Sequence, residues 1–590
     1  MSTDAARPIV GISAYFHDSA CCLLQNGALV AAAQEERFSR RKHDPSLPLQ
    51  AFTWCLRSAG LTLADVDCLA YYENPYTKLE RQLWQWWPKL TPPYAFWLWQ
   101  QASLPFKAIR DVLGYDGEID VCEHHSSHAA SAFYFSGFPE AAILTVDSVG
   151  EWATTTYSRA CNGDINAFEE VRFPNSLGLL YSTFTGYLGF EVNDGEYKVM
   201  GLAPYGQPRY VQAIRDLVQA GAEGQFELQA ACFDFLRGDR MHSDRLTEIL
   251  GCPPRCPGEP ILPVHQDIAR SLQIVLEECL LEKVRYLHAR VPVDNLCLAG
   301  GVALNCVANS RILRDGPFKR LFVQPAAGDA GGAVGAAALA HVKRHGPRGL
   351  QRRLEHVYLG PAYAPEEVAD LLDEAGIAAE DYRREEAALI AKSAELLSEG
   401  KIIGWFQGRM EFGPRALGAR SILADPRQPA MQRRVNQLIK QREGFRPFAP
   451  AVLASRASEH FDLDHPSPFM LETCQVVSSL PLPAITHVDR TARVQTVDHY
   501  SEPRFKRLLE VFHDRTGCPI LLNTSFNLSD EPIVRSPEDA LRSFARSQLD
   551  ALVLGDFIID RASLAPGLVA SCREAVPQPS SQPLARVYTF

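Results

Sequence analysis

Two signatures that usually announce a nucleotide-binding enzyme are missing from this sequence. It has neither a GxxxxGK[ST] loop nor a GxGxxG turn, so neither a P-loop nor a dinucleotide fold is supported. Paired CxxC motifs are absent as well, which excludes the common zinc-ribbon arrangements. The 15 cysteines are scattered and odd in number, and Cys21 and Cys22 sit in an apolar run, so they read as reduced core thiols of a cytoplasmic protein. No apolar signal segment is seen near the N-terminus. Positive charge is in deficit: 59 Lys and Arg stand against 70 Asp and Glu, a formal charge of -11, which disfavours a broad nucleic-acid surface but leaves room for a local basic pocket. Long apolar runs are also lacking. The most aromatic stretch, residues 83–100, holds five of the eight tryptophans but is broken by Pro88, Lys89, Pro92 and Pro93, so no membrane span is expected. It reads as helices packed on a core, with an acceptor platform, a dimer interface or a membrane-surface contact as sharper alternatives.

What is present is ordinary globular material in unusual length. At 590 residues, two to four domains are expected. The chain opens with a strand "IVGIS", a polar corner at His17, Asp18 and Ser19, a strand "ACCLLQ", a tight turn at Asn26-Gly27 and a third strand. About 130 residues later the pattern repeats. A strand "AILTV" runs into a corner with Asp147, Ser148 and Gly150, then "WATTTYS" and a turn at Asn162-Gly163. Two copies of strand, corner and hairpin predict a duplicated α/β fold of the kind that holds phosphate or metal at its strand ends. Two glycine-rich segments place helix N-termini after strands: Gly300-Gly301 before Val302 and Asn305, and Gly328-Asp329 before Gly331, Gly332 and Gly335. Close packing by glycine and alanine is the competing explanation for both.

"CEHHSSHAASAF" carries three histidines. On a helix His124 and His128 share a face while His125 points about 100° away. With Asp147 and Asp329 as further ligands, the set suits Fe(II) or a similar divalent metal better than a structural zinc. The second half follows a basic linker at 342–353. It reads as two helices, "PEEVADLLDEAG" and "EAALIAKSAELLSEG", then a strand "KIIGWFQ". Next come Arg409, Arg415, Arg420, Arg427, Lys440, Arg442 and Arg446, interleaved with Gly, Pro and aromatic residues, which calls for anionic partners. "LLNTSFN" ends another strand in amides and hydroxyls, Asn523 among them.

The segments "GISAYFHDSA", "EERFSRRKHD", "HHSSHAASAF", "VDSVGEWAT", "DGEYKVMGLAPYG", "AGGVALNCVAN", "GDAGGAVGAA" and "GRMEFGPRALGARSILADPR" closely resemble the O-carbamoyltransferases of the NodU/CmcH family, over about residues 8 to 560. The resemblance implies an α/β fold in two parts. The first, 1–345, is a duplicated ribonuclease-H-like domain of the actin and sugar-kinase superfamily, similar to the tRNA threonylcarbamoyltransferase. The second, 356–570, is a YrdC-like domain, with 571–590 a flexible tail. It implies that carbamoyl phosphate and ATP, with Mg, give a carbamoyl-adenylate in the second domain, and that the first passes the carbamoyl group to the hydroxyl of a small natural-product acceptor. It places the metal, taken to be iron, on His124, His128, Asp147 and Asp329. Reaction residues are His17 and Lys42, with Asp18 beside them, and the nucleotide loop is Gly300, Gly301, Val302 and Asn305. Gly328, Lys198, Arg415, Arg420, Ser421, Lys440, Arg442, Arg446 and Asn523 are expected to bind nucleotide or carbamoyl phosphate. Two other readings stand beside it: a threonylcarbamoyl-type tRNA-modifying enzyme, and a non-catalytic nucleotide-binding protein. A homodimer is expected from the apolar insert.

Overall fold

Two Asn-Gly turns organise the first half of the molecule. Asn26 and Gly27 have φ of 52° and 79°, Asn162 and Gly163 have 56° and 89°, and this left-handed pair is what a two-residue hairpin needs. Each turn joins the second and third strands of a five-stranded sheet. In the first sheet β1 (Ile9–Ser13), β2 (Ala20–Gln25), β3 (Ala28–Gln34), β4 (Cys68–Tyr71) and β5 (Glu118–Val121) lie in the order β3-β2-β1-β4-β5. In the second, β6 (Glu140–Val146), β7 (Ala153–Cys161), β8 (Asp164–Arg172), β9 (Asn295–Ala299) and β10 (Arg320–Val323) lie in the order β10-β9-β6-β7-β8. Strand two is antiparallel to its neighbours and the rest are parallel in both sheets. One topology is therefore used twice, as the repeated strand-and-corner pattern anticipated.

This is a computed structural model, and it describes residues 7–87, 90–235, 240–347, 349–350, 353–440, 442–529 and 531–564. The tail expected over 571–590 lies outside the described residues. These residues divide into two units. One comprises 7–35 and His43–Leu354, the other Glu36–Lys42 and 355–564. A seven-residue stretch close behind β3, Lys42 included, thus belongs to the second unit. No described helix is long and apolar enough to cross a membrane.

In the first unit four helices matter for function: α1 (Pro75–Trp86), α2 (Pro92–Asp111), α3 (His124–Phe133) and α4 (Asp329–His345). Helix α4 is small-sided because it is pressed between backbones. A Cβ on Gly335 would lie 1.7 Å from the Ser127 carbonyl oxygen of α3, and one on Gly11 of β1 would lie 1.9 Å from that of Ala333. Glycine here allows close approach of main chains, the packing role weighed above for this segment. Gly328 is different: a Cβ there meets nothing within 4 Å.

The second unit is built on one mixed sheet of eight strands. They are β11 (Glu380–Asp381), β12 (Ile403–Phe406), β13 (Arg420–Ala424), β14 (Ala449–Leu453), β15 (Gln495–Val497), β16 (Ile520–Ser525), β17 (Ala551–Leu554) and β18 (Phe557–Asp560). Their order is β11-β18-β17-β12-β13-β16-β14-β15. Helices Glu386–Ser398 and Pro503–Thr516 bury an apolar stripe (Leu389, Leu397, Leu508 and Phe512) in the core that contains Trp405, Ile422 and Leu521.

Gly335→Ala is expected to lower the unfolding free energy by about 1–3 kcal/mol, the cost of overpacking against a backbone. Gly328→Ala should stay within about 0.5 kcal/mol of the parent protein. Denaturant titration of both variants checks this pair.

Candidate functional site

Four strand and helix ends converge in the first unit. His124 and His128 lie one turn apart on α3, Asp147 follows β6, and Asp329 opens α4. All four side chains are buried. His124 Nε2 is 3.1 Å and His128 Nε2 3.0 Å from the same oxygen, Asp147 Oδ2, and the two nitrogens are 3.0 Å apart. Asp329 Oδ1 lies 3.7 Å from both. The other Asp147 oxygen accepts the Ser148 and Gly301 N–H groups at 2.7 and 3.2 Å, which aims Oδ2 at the histidines. Tyr72 donates its hydroxyl to Asp329 Oδ2 at 3.4 Å. One ligand atom from each residue lies within 4.8 Å of the others.

This donor set fits a divalent metal. Two imidazole nitrogens facing each other cannot both present lone pairs without a proton or cation between them, and two buried carboxylates need positive charge nearby. Burial works to lower the His128 pKa, yet hydrogen bonds and attraction from Asp147 and Asp329 push it up to about 9. Burial would raise the Asp147 carboxyl, but the two histidines hold it well below the usual range. A cation bound here would take the place of the His128 proton. His125 turns the other way, onto Thr145 Oγ1 at 2.6 Å.

A second cluster stands at the β1–β2 corner. His17 Nδ1 is 2.9 Å from Asp18 Oδ2, and the other Asp18 oxygen is 2.8 Å from His43 Nδ1. His43 Nε2 in turn reaches Asp194 Oδ1 at 3.1 Å, and Lys198 Nζ lies 3.7 Å from Asp194 Oδ2. With a carboxylate at each nitrogen, the His43 ring donates from both and carries the charge that pins Asp18. Burial would lower the His17 pKa, but Asp329 and then Asp18 raise it to about 9. Asp18 is held well below the carboxylate range despite burial, first by His43. Asp18 and His43 both adopt left-handed backbone, with φ of 55° and 52°. His43 and Asp194 were not singled out from sequence. They are 151 residues apart and meet only through the fold; the one clue was the position of His43 beside Lys42.

The glycine loop after β9 is shaped by contact with the metal corner. Gly300 has φ of 90°, and a Cβ there would lie 2.2 Å from the Val146 carbonyl oxygen. Gly301 binds Asp147, and Val302 lies in the turn that follows. Asn305 caps the next helix through the Ala308 N–H at 3.0 Å and exchanges amide hydrogen bonds with Gln273. Its amide is occupied in holding the loop.

In the second unit Lys440 is the most constrained of the expected cations. It is buried, and its ammonium donates to the Ser525 carbonyl, to Ser525 Oγ at 3.2 Å, and to the carbonyl and side-chain oxygens of Asn527 at 3.0 and 2.8 Å. Burial lowers its pKa well below the ordinary value, and Arg442, Arg446 and Lys42 push in the same direction. Cations crowded this way make a site for an anion. Arg415 is half-buried. Arg420 has another job. It is fully buried, lies 3.6 Å from the Phe406 ring centre, and spends its terminal nitrogens on the carbonyls of Gln407, Ala419, Pro361 and Gly408. Ser421 Oγ accepts the Gly418 N–H, and Asn523 donates to Ala416 and Gln495. These three hold the loop that carries Arg415. Glu411, not anticipated, does the same: one oxygen accepts the N–H groups of Leu417, Ala419 and Arg420 at 2.7, 2.8 and 3.3 Å.

Comparison with known proteins shows the family. Residues 8–338 match the family model "Carbamoyltransferase N-terminus" and residues 394–561 match "Carbamoyltransferase C-terminus". The uncharacterized protein sll1178 of Synechocystis is 45% identical over 94% of this chain and 97% of its own length. Nodulation protein NolNO of Sinorhizobium fredii is 38% identical over 98% of this chain and 83% of its own. The 3'-hydroxymethylcephem-O-carbamoyltransferase of Streptomyces clavuligerus is 34% identical over 44% of this chain and 48% of its own.

Because the His128 proton must leave before a metal binds, apparent metal affinity should rise about tenfold per pH unit between pH 6.5 and 9. His128→Ala should reduce retained metal about 100-fold or more at any pH. Metal content after dialysis against a graded chelator series checks both; affinity that is flat with pH would contradict the assignment.

Proposed function

The chain belongs to the carbamoyltransferase family and is a transferase enzyme, and from that premise we propose that it carries the carbamoyl group of carbamoyl phosphate, by way of a carbamoyl-adenylate made with ATP, to a hydroxyl of a small molecule. The observation that carries this reading is the buried cluster of two histidines and two aspartates, with a histidine–aspartate pair whose charge balance depends on it. The second unit is read as YrdC-like, and the first as an actin-superfamily nucleotide domain.

In the first stage, water cleaves carbamoyl phosphate to carbamate and phosphate. A carbamate oxygen then attacks the α-phosphorus of ATP, and pyrophosphate leaves. Each step gathers negative charge, and the groups suited to it are Lys440, Arg442, Arg446 and Arg415, forks and an ammonium within one unit. The buried Lys440 ammonium is costly to hold charged in the free protein, so a polyanion that restores its favoured state gains affinity.

In the second stage the acceptor hydroxyl oxygen attacks the carbamoyl carbon and AMP leaves. The hydroxyl proton needs a base. His17 supports that role because Asp18 takes its Nδ1 hydrogen and fixes the tautomer, leaving Nε2 for the proton, while His43 and Asp194 keep Asp18 in place. His124, His128, Asp147 and Asp329 would hold the divalent metal. Bound there, such an ion would supply positive charge to the site, and with Asp329 engaged His17 would lose the largest attraction that raises its pKa. Gly328, where a Cβ would meet nothing within 4 Å, leaves backbone room for phosphates.

The two stages should separate on mutation. His128→Ala is expected to keep acceptor-independent pyrophosphate release from ATP and carbamoyl phosphate within about threefold while abolishing transfer to an alcohol, since His128 belongs to the first unit and the cations proposed for adenylation to the second. Lys440→Met should slow pyrophosphate release about 100-fold or more, a loss of charge stabilisation in a desolvated site. Asp18→Asn should leave pyrophosphate release intact but slow transfer about 100-fold or more, by releasing the tautomer of His17. Pyrophosphate release measured beside carbamoylation of an alcohol panel distinguishes the three; simultaneous loss of both stages in a folded His128→Ala protein would contradict the division.

A further inference from the structure

The turn between β6 and β7 carries two buried acids, Asp147 and Glu151. Asp147 offers an oxygen to the metal cluster. The Glu151 carboxylate is spent on main chain instead. Its Oε1 accepts the Asn74 N–H at 2.7 Å and the His124 N–H at 2.9 Å, and its Oε2 lies 3.2 Å from the same His124 nitrogen.

The start of α3 shows why that bond matters. His124 is both the first residue of the helix and a residue of the metal cluster, and the residue before it, Glu123, makes no side-chain cap. The first N–H groups of a helix have no partner within it. Glu151 supplies one from outside. The rest of its turn fixes the same histidine. Asp147 Oδ2 stands 3.1 Å from His124 Nε2. A Cβ on Gly150 would lie 2.9 Å from the His124 Cβ and 3.0 Å from its Cδ2, so main chain presses on the stem of that side chain. One segment, 147–151, thus holds His124 at its ring, its stem and its backbone.

Glu151 is itself pinned. Arg81 of α1, the first helix of the tryptophan-bearing hairpin formed by α1 and α2, is fully buried. It donates from Nε to the Glu151 carbonyl at 2.5 Å and faces the Phe173 ring at 5.1 Å. Asn74 caps α1 by accepting the Tyr76 and Thr77 N–H groups at 3.1 and 3.3 Å. A buried carboxylate between two backbone donors, on a main chain fixed by a buried arginine, is a rigid support.

We propose that Glu151 is a positioning residue of the metal site: by holding the His124 N–H it sets where the His124 ring stands relative to His128 and Asp147, and with that the affinity and geometry of the bound ion. The inference rests on the metal reading given above. Reach is the critical property. One oxygen at the length of a Glu or Gln side chain meets both N–H groups, and a shorter side chain does not.

The test places Asp, Ala and Gln at position 151 of the full chain and loads each protein with Co(II). Chelator competition gives affinity, the visible ligand-field spectrum gives geometry, and unfolding of the metal-free proteins gives stability. Glu151→Asp keeps the charge but withdraws the carboxylate by one methylene. It should bind Co(II) about tenfold or more weakly than the parent, with altered ligand-field bands. Glu151→Ala should lose at least as much. Glu151→Gln keeps an oxygen for both N–H groups and should stay within about threefold of the parent, with the parent's spectrum. A merely structural role would lower the unfolding temperature of the metal-free protein and leave the affinity and spectrum of the folded protein unmoved. That result in Glu151→Asp would overturn the proposal, and so would a Glu151→Gln protein as weak as Glu151→Ala. Glu151→Asp decides the matter if Glu151→Ala does not fold. A parent that binds no Co(II) would overturn the metal reading and this proposal with it. A parent that binds Co(II) beside a Glu151→Asp protein that binds equally would overturn this proposal alone.

Discussion

Two carboxylates buried within reach of one another are the constraint on which the site depends. Asp147 and Asp329 come from opposite ends of the second repeat, and neither could stay ionised in the interior without compensating positive charge. The two imidazoles of α3 can provide part of it, and the set has the donors to hold a divalent cation for the remainder. Around this centre other features take on a purpose. Gly301 and Ser148 direct one Asp147 oxygen away from the histidines, Gly335 lets α3 and α4 approach, and Asp329 with Asp18 offsets the effect of burial on the His17 pKa.

The second unit handles the opposite difficulty. Lys440 is buried among other cations and its ammonium is satisfied by carbonyl, amide and hydroxyl oxygens, with no carboxylate among its hydrogen-bond partners. A site so arranged gains most from a polyanion, which is the chemistry of ATP and carbamoyl phosphate. Arg420, Ser421, Asn523 and Glu411 serve it indirectly by holding the loop around Leu417. Within the arginine-rich motif Arg420 is therefore a strut, and only its burial and its partners reveal it.

Much of this was legible in the residues themselves. The Asn-Gly turns, the twice-used strand-and-corner pattern and the four-residue spacing of His124 and His128 are local signals, and local geometry follows from them directly. The His43 bridge between Asp18 and Asp194 was not legible, because its partners are separated by long stretches of chain and carry no periodic pattern. The glycines in and just before α4 are equally silent in sequence: Gly335 and Gly328 look alike, yet one touches a backbone and the other faces open space. The tryptophan insert was expected to pack inward. Leu79, Leu98 and Ala102 do so, while Trp87 and Trp99 point outward because the hairpin's own core is already filled by smaller residues and Trp86.

The most direct test of the central claim is X-ray absorption at the metal edge of protein purified without chelators. The account predicts a bound divalent ion whose shell contains two imidazole nitrogens and oxygen donors, with one imidazole lost in His128→Ala. A metal-free protein that still transfers carbamoyl groups, or an ion with no histidine in its shell, would contradict it.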